Sequence, residues 1–271
     1  MIFVRRGASF ALAKLVVSVC LAFTVSGAAS GASSPSLGYA SFVCWNYPQL
    51  PKLLAWKETE KVIAATLTES YPGLQKLPRQ ENGSPGELND FLRRLPDAPD
   101  QITLVYLAAH QSPAGQWYFP DHSVVDWGSI MAALPKLKNP RRIVLLDCCY
   151  ASAAGRWPDW TQKIAPACLL ASPGDRPTPD LFALRRRPVD WAVLFPGASL
   201  WLRQHHFVDS DERISFFGLV WLEAWTKEAS PPRNWNEWSQ FAQTMTQIAH
   251  HASTRINANS VSEITSVFPA R

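Results

Sequence analysis

Charged side chains and long apolar runs are both scarce in this sequence. Lys, Arg, Asp and Glu make up 18% of its 271 residues. Residues 1–32 carry three basic residues and no acidic one, which leaves 23 basic against 22 acidic residues in the rest of the chain. Apart from the short run Arg185–Arg187 there is no basic cluster, so we expect no nucleic-acid partner. No apolar run reaches the roughly 20 residues of a transmembrane helix, so we expect no stable membrane insertion of the mature chain.

Motifs that bind metals or cofactors are also missing. The six histidines and five cysteines show no spacing typical of a metal site. The sequence has neither a Gly-rich phosphate loop nor a dinucleotide-binding fingerprint. Any chemistry that this chain performs is therefore expected to need no cofactor.

The N-terminal segment has the pattern of a secretory signal peptide. Arg5, Arg6 and Lys14 precede the apolar run Leu15–Val25, and small residues suited to cleavage follow that run. This order predicts a signal peptide over residues 1–32 and a secreted or periplasmic mature protein. The alternative is an uncleaved N-terminus that anchors the chain to a membrane.

The remaining composition is typical of one globular domain. Hydrophobic residues make up 47% of the chain, and we find no internal repeat or interdomain linker. We predict a short leader over residues 33–37, a domain over residues 38–252 and a loose polar tail over residues 253–271.

Apolar runs alternate with helical patterns along the domain. Ile102–Ala109 and Ile143–Leu146 are continuous apolar runs, which are typical of central parallel strands covered on both faces. The alternation predicts an α/β fold in a single domain, with a mostly parallel central sheet flanked by helices on both faces.

The other elements follow from periodicity and turn signals. Further strands are predicted at 39–45, 74–79, 165–171 and 191–195, with a β-ribbon around 117–119. Helices are predicted around 56–67, 87–95, 126–137, 214–225 and 235–248.

His110 and Cys149 stand directly after the two central apolar runs. In an open parallel sheet both side chains would emerge at the same carboxyl edge, where ligands bind. A nearby imidazole can take the proton of a thiol and then donate one to a leaving amine, which is the chemistry of a cysteine hydrolase. Cys44 and Cys168 are predicted to be small buried residues.

The segments around these two residues resemble a known family. Leu104–His110 is similar to the strand that ends in Ser-Gly-His-Gly in caspases and metacaspases. Leu145–Tyr150 resembles the metacaspase strand that ends in Asp-x-Cys-His-Ser-Gly. The order of the predicted elements also matches the family over roughly residues 38–225, so the resemblance implies a caspase-like fold and a cysteine endopeptidase whose partner is a protein or peptide substrate.

The resemblance assigns a role to each matching residue. Cys149, two residues after the acidic position, would be the nucleophile, and His110 the general base and acid. Backbone N–H groups of Gln111 and Cys149 would bind the oxyanion. Asp147 would form a wall of the pocket for a Lys or Arg before the scissile bond, and Asp175, after the strand predicted at 165–171, would complete that pocket.

Two departures from the family pattern leave alternatives open. Gln111 stands where the family has glycine, and Tyr150-Ala151-Ser152 replaces His-Ser-Gly. These changes favour, as an alternative, an inactive binding or scaffold protein on the same fold. A redox pair of Cys148 and Cys149 is a second alternative, which the strained ring of bridged adjacent cysteines disfavours.

Overall fold

A computed structural model describes residues 36–50, 52–96, 98, 100–112, 114–126, 129, 141–149, 167–172, 191–207, 214–256 and 263–267. Side-chain surroundings are described for all of these except 167–172, 256 and 263–267. The signal peptide predicted for residues 1–32 lies outside the described residues and stays a prediction, as does most of the helix predicted for 126–137.

The described residues form eight strands and six helices. The strands are β1 (Ser36–Val43), β2 (Gln75–Glu81), β3 (Gln101–Gln111), β4 (Gln116–Tyr118), β5 (Val124–Asp126), β6 (Arg142–Cys148), β7 (Ala167–Ser172) and β8 (Glu263–Val267). The helices are α1 (Leu54–Ser70), α2 (Pro85–Arg93), α3 (Trp191–Leu194), α4 (Pro196–Gln204), α5 (Phe216–Lys227) and α6 (Trp235–Ile256). None of these six helices is both long and apolar enough to cross a lipid bilayer.

The central sheet has the strand order β2-β1-β3-β6-β7-β8. The four pairs from β2 to β7 are parallel, and β8 pairs antiparallel with β7. The short strands β4 and β5 form an antiparallel ribbon on the end of β3. A mostly parallel sheet in a single α/β class is thus confirmed.

Helices cover both faces of this sheet. Tyr106 and Ala108 of β3 lie on the first face, in the core that includes residues of α1, α4, α5 and α6. Leu107 and Ala109 lie on the second face, in the core that includes Phe91 of α2. The continuous apolar run of β3 therefore reflects burial on both sides, as expected for a central parallel strand.

The outermost strand at one end of the sheet is β2. Its register against β1 moves from Tyr39–Lys76 to Ser41–Arg79, so β2 has one extra residue between these pairs. The irregularity lies next to Pro78, which has no N–H to give to a ladder.

The strand predicted at 191–195 is wrong, because Trp191–Leu194 forms the helix α3. The Phe195 N–H donates to the Trp191 carbonyl at 2.7 Å, and the two rings stack with centroids 6.0 Å apart. Pro196 then begins α4, a position where the fixed φ of proline suits a helix. A five-residue apolar run was too short to distinguish helix from strand.

The loose tail predicted from residue 253 is also wrong. Helix α6 continues to Ile256, and Glu263–Val267 forms the edge strand β8. The buried stripe of α6 continues through Ala249, Ala252 and Ser253. Such small side chains gave the sequence too weak an apolar pattern to reveal the last turns of the helix.

Candidate active site

The register between β3 and β6 brings the two predicted catalytic residues together. Ala108 pairs with Asp147, and Ala109 pairs with Cys148. His110 and Cys149 are the next residues on each side. Since neighbouring strands lie about 4.8 Å apart, these two residues are neighbours at the carboxyl edge of the sheet.

Strand alternation indicates that the side chains of His110 and Cys149 share one face. Alternation along β3 puts His110 on the first face with Tyr106 and Ala108. On β6 the same face carries Asp147, whose Oδ2 accepts a hydrogen bond from the Tyr106 hydroxyl at 2.9 Å. Cys149 follows Asp147 by two residues, one position beyond the end of β6, and continued alternation would direct its thiol to that face too.

The half-buried imidazole of His110 packs between two aromatic rings. Its centroid is 4.7 Å from the Tyr47 ring and 5.6 Å from the Trp56 ring, which it meets edge-on. The backbone N–H of His110 donates to the Tyr47 hydroxyl at 3.0 Å. That hydroxyl in turn donates to the Tyr118 carbonyl at 3.2 Å. Burial raises the pKa of Tyr47, and the nearby Cys44 adds a smaller effect in the same direction. The hydroxyl therefore stays protonated and can donate. These contacts restrict the positions that the imidazole can adopt.

The two adjacent cysteines differ in their surroundings. Cys148 is buried, and its thiol donates to Gln111 Oε1 at 2.9 Å on the second face. Burial raises the pKa of Cys148 well above its usual value, which keeps this thiol protonated and a poor nucleophile. Cys148 is thus a core residue. Both are free thiols without a disulfide between them, and the redox pair stays an alternative.

Cys44 is a buried core thiol, as predicted. It is fully buried and donates to the Gly83 carbonyl at 3.6 Å. Burial raises its pKa to about 12. The side chain of Cys168 lies outside the described residues.

The carboxylate of Asp147 is buried on the first face, two residues before Cys149 in the chain. It is 7% exposed, and its Oδ2 accepts hydrogen bonds from Tyr106 Oη at 2.9 Å and Ser215 Oγ at 2.7 Å. Burial raises its pKa to about 6, against the opposing effect of hydrogen bonds from Ser215, Tyr106 and Trp56. None of the ion pairs between described residues includes Asp147. Among the described residues, the partners of this carboxylate are therefore neutral donors.

Ser215 links this carboxylate to two helices. Its hydroxyl caps the start of α5 by accepting from the Gly218 N–H at 3.1 Å. The same hydroxyl accepts from Thr59 Oγ1 of α1 at 2.9 Å, and the Ser215 N–H donates back to Thr59 Oγ1 at 2.9 Å. The end of β6, the start of α5 and the first half of α1 thus share one buried polar network.

Gln111 has different roles for its side chain and its backbone. Its side chain is buried on the second face, where Oε1 accepts from Trp117 Nε1 and Cys148 Sγ, both at 2.9 Å. The His110 N–H points to Tyr47, on the β1 side of β3. Since backbone groups alternate along a strand, the Gln111 N–H points to the β6 side, where Cys149 lies. That direction suits the predicted oxyanion donor.

Several predicted residues lie outside the described part of the chain, and others were missed. Asp175 and residues 150–152 lie outside the described residues. The contacts that Tyr47, Trp56 and Ser215 make at the site were missed from the sequence. The helix-start pattern of a serine before the apolar run of α5 was a signal for Ser215, whereas the contacts of Tyr47 and Trp56 with His110 arise from tertiary packing.

Neither models of known protein families nor curated proteins match this chain. The caspase resemblance stays a prediction, carried by the segments around His110 and Cys149. Within the described residues, no three His, Cys, Asp or Glu side chains form a group that could hold a metal ion.

The buried carboxyl of Asp147 is expected to make stability depend on pH. Its pKa is about 6 in the folded state and near its ordinary value of 3.8 in the unfolded state. The folded state therefore binds this proton more tightly, and the resulting stability is complete below pH 4 and is lost as the pH rises through 6. Two pKa units correspond to roughly 3 kcal/mol.

The measurement is denaturant unfolding of wild type and Asp147→Asn between pH 4 and pH 8. Asparagine does not titrate, so the free energy of unfolding of the variant relative to wild type should rise by up to about 3 kcal/mol across this range. A difference that stays constant with pH would show that the Asp147 carboxyl is not buried as described.

Proposed function

We propose that the mature chain is an exported, caspase-like cysteine endopeptidase that cleaves after Lys or Arg. One observation carries this proposal. The parallel register of β3 and β6 makes His110 and Cys149 neighbours at the carboxyl edge of the sheet. Ligands of open α/β sheets bind at such an edge.

The proposed reaction uses these two side chains in turn. His110 takes the proton of Cys149, and the thiolate attacks the carbonyl carbon of the scissile bond. The oxyanion of the tetrahedral intermediate accepts hydrogen bonds from the N–H groups of Cys149 and Gln111. His110 then gives its proton to the leaving amine, and the thioester is hydrolysed by water from which His110 removes a proton.

The preference for Lys or Arg rests on the environment of Asp147. This carboxylate lies on the dyad's face, two residues before the nucleophile, and its described partners are neutral donors. A buried carboxylate without a cationic partner is costly. A substrate ammonium or guanidinium that reaches it supplies the missing charge, so basic residues are favoured before the cut.

The test is labelling with a peptidyl chloromethyl ketone that ends in Arg, compared with the same peptide ending in Asp. We expect a single adduct on Cys149, located by mass spectrometry of tryptic peptides, and at least a roughly tenfold faster reaction with the Arg peptide. Hydrolysis of a fluorogenic Arg peptide is measured in parallel.

The two readouts separate the alternatives. Labelling of Cys149 together with hydrolysis supports the peptidase. A specific Cys149 adduct without hydrolysis of any peptide supports an inactive binding protein on the same fold. Equal labelling of Cys44, Cys148 and Cys149, or no labelling, contradicts a site built on Cys149.

A further inference from the structure

We infer that the Gln111 side chain is a positioning residue for the His110–Cys149 pair, an inference that rests on the proposed peptidase function. The residue replaces the glycine that the family pattern would put after the histidine. Its amide lies on the second face of the sheet, so it reaches the dyad only through the backbone.

The amide oxygen of Gln111 joins the ends of three strands. It accepts one hydrogen bond from the Trp117 indole of β4 and one from the Cys148 thiol of β6, each at 2.9 Å. All three side chains are buried, and Trp117 is fully buried in the second core. We call these three residues the rear clamp.

The rear clamp acts on the residues next to the dyad. Gln111 follows His110 in β3, and Cys148 precedes Cys149 at the end of β6. A bond between the side chains of Gln111 and Cys148 therefore fixes how far the two strand ends lie from each other behind the site. The same bond fixes the backbone unit that contains the Gln111 N–H, one of the proposed oxyanion donors.

Burial makes the clamp rigid. A hydrogen bond in a low-dielectric core is stronger than in water, and a buried donor that loses its acceptor is left unsatisfied. Loss of the amide oxygen would remove an acceptor from two buried donors, the Trp117 indole on β4 and the Cys148 thiol on β6. The strand ends would then shift to find new partners, and small displacements of a catalytic pair are costly in rate.

The primary variant is Gln111→Met, which keeps the length of the side chain and removes the acceptor. We expect kcat for a fluorogenic Arg peptide to fall about tenfold while KM changes less than about twofold, because a displaced dyad lowers the rate of the chemical step without removing substrate contacts. Melting curves verify that the variant is folded at the assay temperature.

The second variant is Cys148→Ala, which removes only the β6 arm of the clamp. It should lower kcat by about threefold, and the double variant should be no slower than Gln111→Met alone, since both changes break the same bond. Effects that multiply in the double variant, a change in KM instead of kcat, or an unchanged kcat in Gln111→Met would each overturn the clamp.

A readout without substrate separates this inference from the proposed function. The rate of Cys149 alkylation by iodoacetamide, followed by mass spectrometry against pH, reports the coupling of the thiol to His110 whether or not peptides are hydrolysed. We expect the rate at pH 7 to fall about fivefold in Gln111→Met, because a displaced imidazole is less able to take the proton of the attacking thiol. An alkylation profile identical to wild type contradicts the clamp even where wild type lacks turnover.

Discussion

Cys149→Ala should lower kcat/KM for a fluorogenic Arg peptide by at least about 10³-fold, because binding and oxyanion contacts alone give little turnover once the nucleophile is gone. The fold should tolerate the change. Cys149 follows β6 at the sheet edge, and its small side chain is close in volume to alanine. Progress curves and melting temperatures measured on the same preparation separate loss of chemistry from loss of folding.

Two other cysteine variants serve as controls. Cys44→Ala removes a buried thiol that follows β1 in the second core and lies beside Tyr47, so turnover should stay within about tenfold of wild type. Cys148→Ser preserves a hydroxyl that can donate to Gln111 and should stay within about tenfold of wild type. A larger loss in Cys148→Ser than in Cys149→Ala would show that Cys148, and not Cys149, is the nucleophile.

The partner residue gives a further check on the pair. His110→Gln should cause a loss similar to that of Cys149→Ala, and the double variant should be no worse than either single one, since residues that act as a unit are not additive. Independent, multiplying losses would contradict a dyad.

Asp147→Asn should reduce the selectivity for Arg over an uncharged isosteric residue by about 100-fold. Asparagine keeps an oxygen for the Tyr106 and Ser215 hydroxyls but carries no charge for a substrate guanidinium. The measured quantity is the ratio of kcat/KM for matched peptides with Arg or citrulline before the cut.

The matched control for this change is Glu223→Gln. Glu223 is also a buried carboxylate, on α5, but it accepts from the Gly197 and Ala198 N–H groups and pairs with Lys227. Its loss should leave the selectivity ratio unchanged. Selectivity that survives in Asp147→Asn would remove Asp147 from the substrate pocket, even if Cys149 is the nucleophile.

The sequence was most informative where burial is two-sided. The runs that became β3 and β6 are apolar throughout, so their ends, and with them His110 and Cys149, could be located without a structure. The partners of Asp147 differ in this respect. Tyr106 lies on the neighbouring strand, and the alternation of side chains along a strand puts it on the same face as Asp147. Ser215 lies 68 residues further along the chain and reaches Asp147 only through packing.

The misassigned segments share a physical cause. The 191–195 run was too short to show a period, and the stripe at the end of α6 is built from alanine and serine, which bury well but carry little apolar signal. Strand β8 lies next to β7 because of the chain's path after α6, which local patterns do not encode. The rear clamp was missed because the sequence does not show whether a glutamine is buried or which donors its amide oxygen meets. Here those donors come from two other strands.

The irregular edge strand β2 affects how copies of this protein can associate. An outermost strand exposes a row of backbone groups that could continue the sheet into a second molecule. Here Pro78 interrupts that row, and the exposed side chains of Lys76, Arg79 and Glu81 bring charge of both signs to it. This end of the sheet is thereby protected from strand-to-strand aggregation.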